Sequence, residues 1–346
     1  MLHSLVVGLG RAGAGLHLRV LAQARELDRD LFRPGAIIAC DPAPRARRAL
    51  TGVIVAESVR AAAELVSPAR TVVHLCTPPV DRPALLTELA ELGFRQVIVE
   101  KPLASDLAGL AEINRLRSRY GMRLAVVAHW LDAELTRRLA ELVDRRTLGQ
   151  LRSISFHQHK PRFTHSISTH GHPTAFDVEI PHALGAALRL AGSAELLDAG
   201  STDMRFADLV LPGMGGARLA LRHHQGVRTD ISSDLTAPVR ERRVELVFER
   251  GRAVGHYPLS DQDHHAQLSV HGPDEQWSVF PDDALTEFTL RTYRRFNAIG
   301  PAPDSAADDR FALQCEVIRL LSAAKQHCRG WTGPAPQWRR TSDHAG

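Results

Sequence analysis

Leu5-Val6-Val7-Gly8-Leu9-Gly10-Arg11-Ala12-Gly13 decides how this chain is read. An apolar, β-branched run meets a G-x-G-x-x-G turn, and a helix-like stretch follows. Each glycine has its own physical task. The first permits a tight turn, the second lets backbone approach a diphosphate, and the third allows helix to pack closely on strand. Unpaired N–H groups at the helix start attract the anion. Gly8, Gly10, Arg11, Ala12 and Gly13 are therefore the first candidates for binding a dinucleotide.

Outward from this turn, apolar runs at 36–41, 53–57, 71–78, 96–102 and 124–130 alternate with helix-like stretches such as 24–30, 85–92 and 107–121. That rhythm predicts βαβ units and a doubly wound parallel sheet over residues 1–128. From 129 the pattern changes. A helix over 133–147 precedes segments at 151–160, 217–225, 242–259 and 266–272 that alternate apolar with polar residues, as antiparallel strands do. Two helices split by Ile299-Gly300-Pro301-Ala302-Pro303-Asp304-Ser305 close a second domain, 129–330, and 331–346 reads as a tail.

Composition narrows the function. A chain of 346 residues with 44% hydrophobic content suits two domains. Its apolar runs are strand-sized, so no membrane span is expected, and the opening segment reads as a first strand instead of a signal peptide. Cys40, Cys76, Cys315 and Cys328 form no CxxC pair, which fits free thiols in the cytoplasm. Net charge is +4, with acidic and basic residues interspersed and aromatics at 5%, so no nucleic-acid-binding face is expected. Of 43 basic side chains only Lys101, Lys160 and Lys325 are lysines, so each lysine invites a chemical question.

Asp41 ends the second predicted strand, where a carboxylate can accept from a ribose diol and repel a 2′-phosphate; NAD is favoured. Arg45, Arg47 and Arg48 leave NADP open, or form a solvated helix face. Cys76-Thr77-Pro78 and Glu100-Lys101-Pro102 each terminate an apolar strand, and ligands of open α/β sheets lie outside such ends.

Together, GLGRAG, ACD, CTPP and EKPLA, in this order, resemble the Gfo/Idh/MocA family, and the closing 287–326 segment is similar to that family's final helix, loop and helix. The resemblance implies a Rossmann domain followed by an α+β domain with an open, predominantly antiparallel sheet. It places Lys101 beside the nicotinamide ribose and the reacting hydroxyl. Like-charge repulsion from the pyridinium would lower the amine's pKa, which an arginine could not exploit. The family's DxGxH segment aligns with Phe176-Asp177-Val178-Glu179-Ile180-Pro181-His182. His182 matches as general base. Val178 stands where the family has Asp, which leaves Asp177 or Glu179 to support His182. His129 and Trp130 match a segment that lines the pocket, and Lys160 and Arg162 are candidates for a substrate phosphate or carboxylate.

The cluster His157, His159, His165, His170 and His172 lacks the cysteines or paired carboxylates that would complete a metal set, so no metal is expected. The implied activity is NAD(P)-dependent hydride transfer at a secondary alcohol or ketone of a sugar, aminosugar, cyclitol or sugar nucleotide, in a homodimer or homotetramer. A sugar enzyme without net redox change and a dinucleotide-binding regulator remain alternatives.

Overall fold

Six short strands, β1 (His3–Val7), β2 (Ile37–Cys40), β3 (Val53–Ala56), β4 (Thr71–Leu75), β5 (Gln96–Val99) and β6 (Arg123–Val126), pair in the order β3-β2-β1-β4-β5-β6. Every pairing is parallel, with Leu5 beside Ile38 on one side and Val73 on the other. The computed structural model describes residues 1–43, 50–168, 172–260, 262–298 and 305–329. The expected tail and the Arg45, Arg47 and Arg48 positions lie outside the described residues.

Strands β2, β4 and β5 are apolar because both faces of the sheet are covered. One face packs on α2 (Val59–Glu64), α3 (Arg82–Glu91) and α4 (Leu107–Tyr120) through Ala62, Leu86, Leu89, Leu110 and Ile113. Helix α4 is delimited locally: the Asp106 side chain accepts from the Gly109 N–H, and Gly121 closes the far end at φ 61°. The other face packs on α1 (Leu18–Leu27) and on α8 (Ala284–Asn297), which returns from the far end of the chain to insert Phe288, Tyr293 and Phe296.

The second sheet has eight strands: β7 (Leu151–His159), β8 (Ala194–Phe206), β9 (Leu209–His223), β10 (Arg228–Asp234), β11 (Glu241–Phe248), β12 (Gly251–His256), β13 (His265–His271) and β14 (Gln276–Pro281). Their order is β14-β13-β12-β11-β7-β10-β9-β8. All pairings are antiparallel except β7 with β10. Ile154, Phe156, Ile231, Val244 and Leu246 point into one core with α5 (Glu134–Arg145) and α7 (Ile180–Ala191). The alternate residues, among them Ser153, Ser155, Asp230, Arg243 and Glu245, face outward. Helix α6 (Phe163–Ser168) is short, and α9 (Ser305–Arg329) joins both cores, with Phe311 and Ile318 in the first and Val317, Leu320 and Leu321 in the second. No helix among the described residues is long and apolar enough to cross a membrane.

Two carboxylates fasten elements that lie far apart in the sequence. Asp132, in the turn after β6, pairs with Arg291 of α8 and Arg310 of α9. Asp282, at the end of β14, accepts from the Glu134 and Leu135 N–H groups at 2.8 and 3.1 Å and so caps α5 from far along the chain. Asp282→Ala should lose about 0.5–2 kcal/mol of stability, the usual cost of a lost N-cap. Urea unfolding of both proteins measures it, and an unchanged midpoint would mean that water caps α5 equally well.

Candidate active site

The glycine turn sits at the C-terminal end of β1, beside the end of β4, where the strand order reverses. That is the crevice in which open α/β sheets hold ligands. Gly8 has φ +92°, and a Cβ there would crowd Thr77 and the Cys76 carbonyl at 3.2–3.3 Å. A Cβ on Gly13 would fall 1.8 Å from the Gly8 oxygen. The fold itself requires both. A Cβ on Gly10 would meet nothing within 4 Å, which leaves an open ledge beside the first amides of the helix. These amides and that ledge fit a dinucleotide diphosphate. Asp41 stands at the tip of β2, its two oxygens accepting from the Leu9 and Ala43 N–H groups at 2.7 and 2.8 Å.

Fully buried Arg82, which the sequence did not single out, fastens the two other loops. Its guanidinium donates to the Thr77 carbonyl at 3.0 Å and to the Pro102 carbonyl, across the cis Lys101–Pro102 peptide. Behind Glu100 runs a buried chain of hydrogen bonds, also absent from the sequence expectations. His17 Nε2 lies 2.9 Å from Glu100 and its Nδ1 2.7 Å from His74 Nδ1; His74 Nε2 is 2.9 Å from Tyr293, whose hydroxyl donates to Ser4. Burial opposes charge on His17, but the Cys76 sulfur and Glu100 raise its pKa to about 10. Burial likewise opposes charge on Glu100, yet His17, Lys101 and Arg82 hold it at about 2. Burial and His17 keep His74 neutral. The imidazolium of His17 thus donates both ways, and each proton along the chain has one acceptor.

A cavity of about 460 Å³ runs from Arg11 and Ala12 to Lys101, His129, Glu179 and His182. All three lysines converge on the turn before α7. Lys101 Nζ donates to the Val178 carbonyl at 2.7 Å and more weakly to that of Asp177 at 3.4 Å. Lys160 pairs with Glu179, and Lys325 with Asp177 at 2.5 Å. The expectation that Asp177 or Glu179 supports His182 is therefore corrected: neither carboxylate hydrogen-bonds the imidazole among the described residues. Asp177, expected to contact substrate, instead bonds Lys325 and Thr174 and is not among the residues lining the cavity. Burial works against ionised Glu179, but Lys160, Arg242 and Lys101 hold it at about 2.

Aromatic packing orients His182. Trp130 stacks on Tyr257 at 3.8 Å between centroids, with His182 at 5.7 Å and His129 at 4.7 Å from His182. Burial, then His129, Lys101 and Arg242, push the His182 pKa well below 6.5. Burial and nearby cations bring His129 to about 4 and His172 to about 2. Lys101 is lowered by burial, partly offset by Glu179 and Glu100. Arg162 and Lys160 both line the cavity, as does Arg242, an arginine that no sequence signal separated from the others. The histidine cluster does not stay together. His157 and His159 lie on β7 at its outward positions, His165 and His172 border the cavity, and His170 lies outside the described residues. Among the described residues no three His, Cys, Asp or Glu side chains form a metal-binding group.

Residues 2–128 match the family described as an oxidoreductase family with NAD-binding Rossmann fold, Gfo/Idh/MocA. The first domain is thus similar to the NAD-binding Rossmann domain of that family. The whole fold is similar to KijD10, a 3-ketoreductase from Actinomadura kijaniata solved with NADP and TDP-benzene, at TM-score 0.75 and 17% identity, covering 94% of this chain and 98% of that one. It is also similar to a protein provisionally described as an NADPH-dependent oxidoreductase from Desulfitobacterium hafniense, at TM-score 0.75 and 12% identity, over 94% and 96% of the two chains. No curated protein matches the chain.

The charge on the buried pair sets a pH dependence. Raised from 6.5 to about 10, His17 contributes stability that is complete below pH 6.5 and is lost as pH rises through 10. Lowered from 4.5 to about 2, Glu100 contributes above pH 4.5 and loses its part as pH falls through 2. His17→Gln should therefore cost about 3–5 kcal/mol near pH 6, the cost of breaking a buried pair, and the gap from wild type should narrow toward pH 10. Denaturant unfolding across that range tests it; a constant gap would mean that His17 is neutral.

Proposed function

We propose that the cavity interconverts a secondary alcohol and a ketone on a small polyhydroxylated substrate, a sugar, aminosugar, cyclitol or sugar nucleotide, with NAD favoured and NADP accepted. The carrying observation is that Lys101 and His182 line the same cavity as the glycine-turn residues Arg11 and Ala12. Nicotinamide, when bound, supplies or accepts the hydride. Lys101 exchanges its bond to the Val178 carbonyl for one to the substrate oxygen and polarises it. His182, neutral and without a carboxylate partner among the described residues, receives the hydroxyl proton in the oxidative direction and returns it in the reductive one. Trp130 and His129 hold its ring in place. Glu100, made anionic by His17, keeps Lys101 near its station without entering the chemistry. Asp41 supports NAD, because its carboxylate repels a 2′-phosphate. The outward face of the second sheet is the proposed seat of a homodimer or homotetramer contact.

Purified protein offered a panel of these substrates with NAD and NADP tests the activity, with absorbance of the reduced coenzyme as readout. Lys101→Met should lower turnover about 10²–10⁴-fold, the range for general acid–base groups, while dinucleotide affinity by fluorescence stays unchanged. Because the chain has three lysines, ¹³C-lysine NMR resolves each amine, and the signal missing in Lys101→Met should titrate below 10.5 in the wild type. Full activity in that variant would remove Lys101 from the chemistry. Asp41→Ala should shift the ratio of NAD to NADP affinity toward NADP; an unaltered ratio would show that coenzyme choice lies elsewhere.

A further inference from the structure

The substrate end of the cavity carries more positive charge than the protein neutralises. Arg162 is only 8% exposed, yet its side chain is bonded to the Ser166 hydroxyl at 2.9 Å and to no carboxylate among the described residues. Arg240 and Arg242 donate to the carbonyls of Leu259 and Pro258 at 2.6 and 2.7 Å and, like Arg11, have no ion pair among the described residues. The two carboxylates close by are already committed, Glu179 to Lys160 and Glu100 to His17. Beside the main cavity, and sharing Arg11, Lys160, Arg162 and His165 with it, lies a side pocket of about 280 Å³ that Arg240 completes. No acidic residue lines it among the described residues.

A guanidinium withdrawn from water without a counter-ion is costly, and arginine cannot escape by losing its proton. Such a group is expected where an anion arrives from outside. We propose that this side pocket receives a phosphate group of the substrate, a phosphate ester or diphosphate, gripped by Arg162 and Arg240 with Arg11 across the cleft. The proposal rests on the oxidoreductase activity above and narrows its substrate to phosphorylated or diphosphate-linked sugars. Three guanidinium groups without an ion pair among the described residues favour a multiply charged anion over a single carboxylate, and the guanidinium fork matches phosphate oxygens two at a time. The coenzyme's own diphosphate is the other source of the same chemistry. However, Arg162 follows β7 and Arg240 precedes β11, both outside the glycine-turn half of the chain. Filling the pocket also bears on the base, because the substrate's negative charge would offset Lys160 and Arg242, two of the cations that hold His182 neutral.

Calorimetric titration of uridine diphosphate and of inorganic pyrophosphate into protein saturated with NADP tests this. Binding of either probe is expected, at least about tenfold weaker in Arg162→Gln and in Arg240→Gln, as loss of one charge-assisted contact predicts, with NADP affinity retained. Arg240 is exposed, so its variant keeps the experiment decisive if Arg162→Gln fails to fold. Abolition of both titrations by NADP would overturn the proposal by giving the pocket to the coenzyme; equal affinity in wild type and Arg240→Gln would overturn it outright. The two layers fail separately. Turnover of neutral polyols with no diphosphate binding would sink the anion site and leave the oxidoreductase, whereas diphosphate binding lost in the arginine variants, without turnover of any alcohol or ketone, would do the reverse.

Discussion

The bond from the Lys101 ammonium to the Val178 carbonyl spans the two halves of the molecule, since Lys101 lies in the turn after β5 of the first sheet and Val178 just before the helix that carries His182. A charged donor on a bare carbonyl is a strong but replaceable contact. It fixes the amine in the cleft, and a substrate oxygen can take the carbonyl's place where a substrate hydroxyl or a water then donates to the freed carbonyl. Lys160 and Lys325 hold the residues on either side of Val178, so the turn stays fixed when Lys101 lets go.

That station depends in turn on how charge is buried beneath it. Glu100 is held anionic first by cationic His17 and then by Lys101 and Arg82, and His17 belongs to the π-helical turn that starts at the last glycine of the motif. The turn that would grip a diphosphate and the loop that carries the amine are thus joined through one ion pair, while Arg82 ties that same loop, at the Pro102 carbonyl, to the Thr77 carbonyl from the other side. Removing either cation would strand a buried carboxylate or leave two loops without their shared donor. The coupling is of backbone to backbone through side chains, and for that reason it is stiff.

The parallel sheet was legible in the sequence because its strands are short, apolar and punctuated by turn motifs, so periodicity and the G-x-G-x-x-G turn point the same way. The rarity of lysine was an equally direct signal, and all three lysines meet at one turn. Less could be read of the supporting groups. His17 and His74 look like ordinary polar residues in a helix and a strand, and only tertiary packing brings them to Glu100. Arg242 is one cation among forty-three basic residues. The partner of Glu179 is hidden for a related reason: it stands three residues before His182, within reach along a helix, but it lies just before the helix and turns to Lys160. Local spacing names neighbours along a helix; it does not rank them against a cation arriving from another strand.

The electrostatics of the cleft carry one more consequence. Surrounded by Lys101, Lys160 and Arg242, His182 is neutral but weakly basic, and a weak base removes a hydroxyl proton poorly. On the proposed chemistry the deficit lies in the ligand-free cleft alone. A polyanionic substrate seated among the unpaired arginines would cancel part of that field and raise the imidazole's basicity, and the same charge would restrain the fall of the Lys101 pKa. A neutral analogue of identical shape would leave both groups as they stand. Discrimination by charge would then act on the rate of proton transfer as well as on binding, so a single cluster of arginines would both hold the substrate and prepare the groups that act on it.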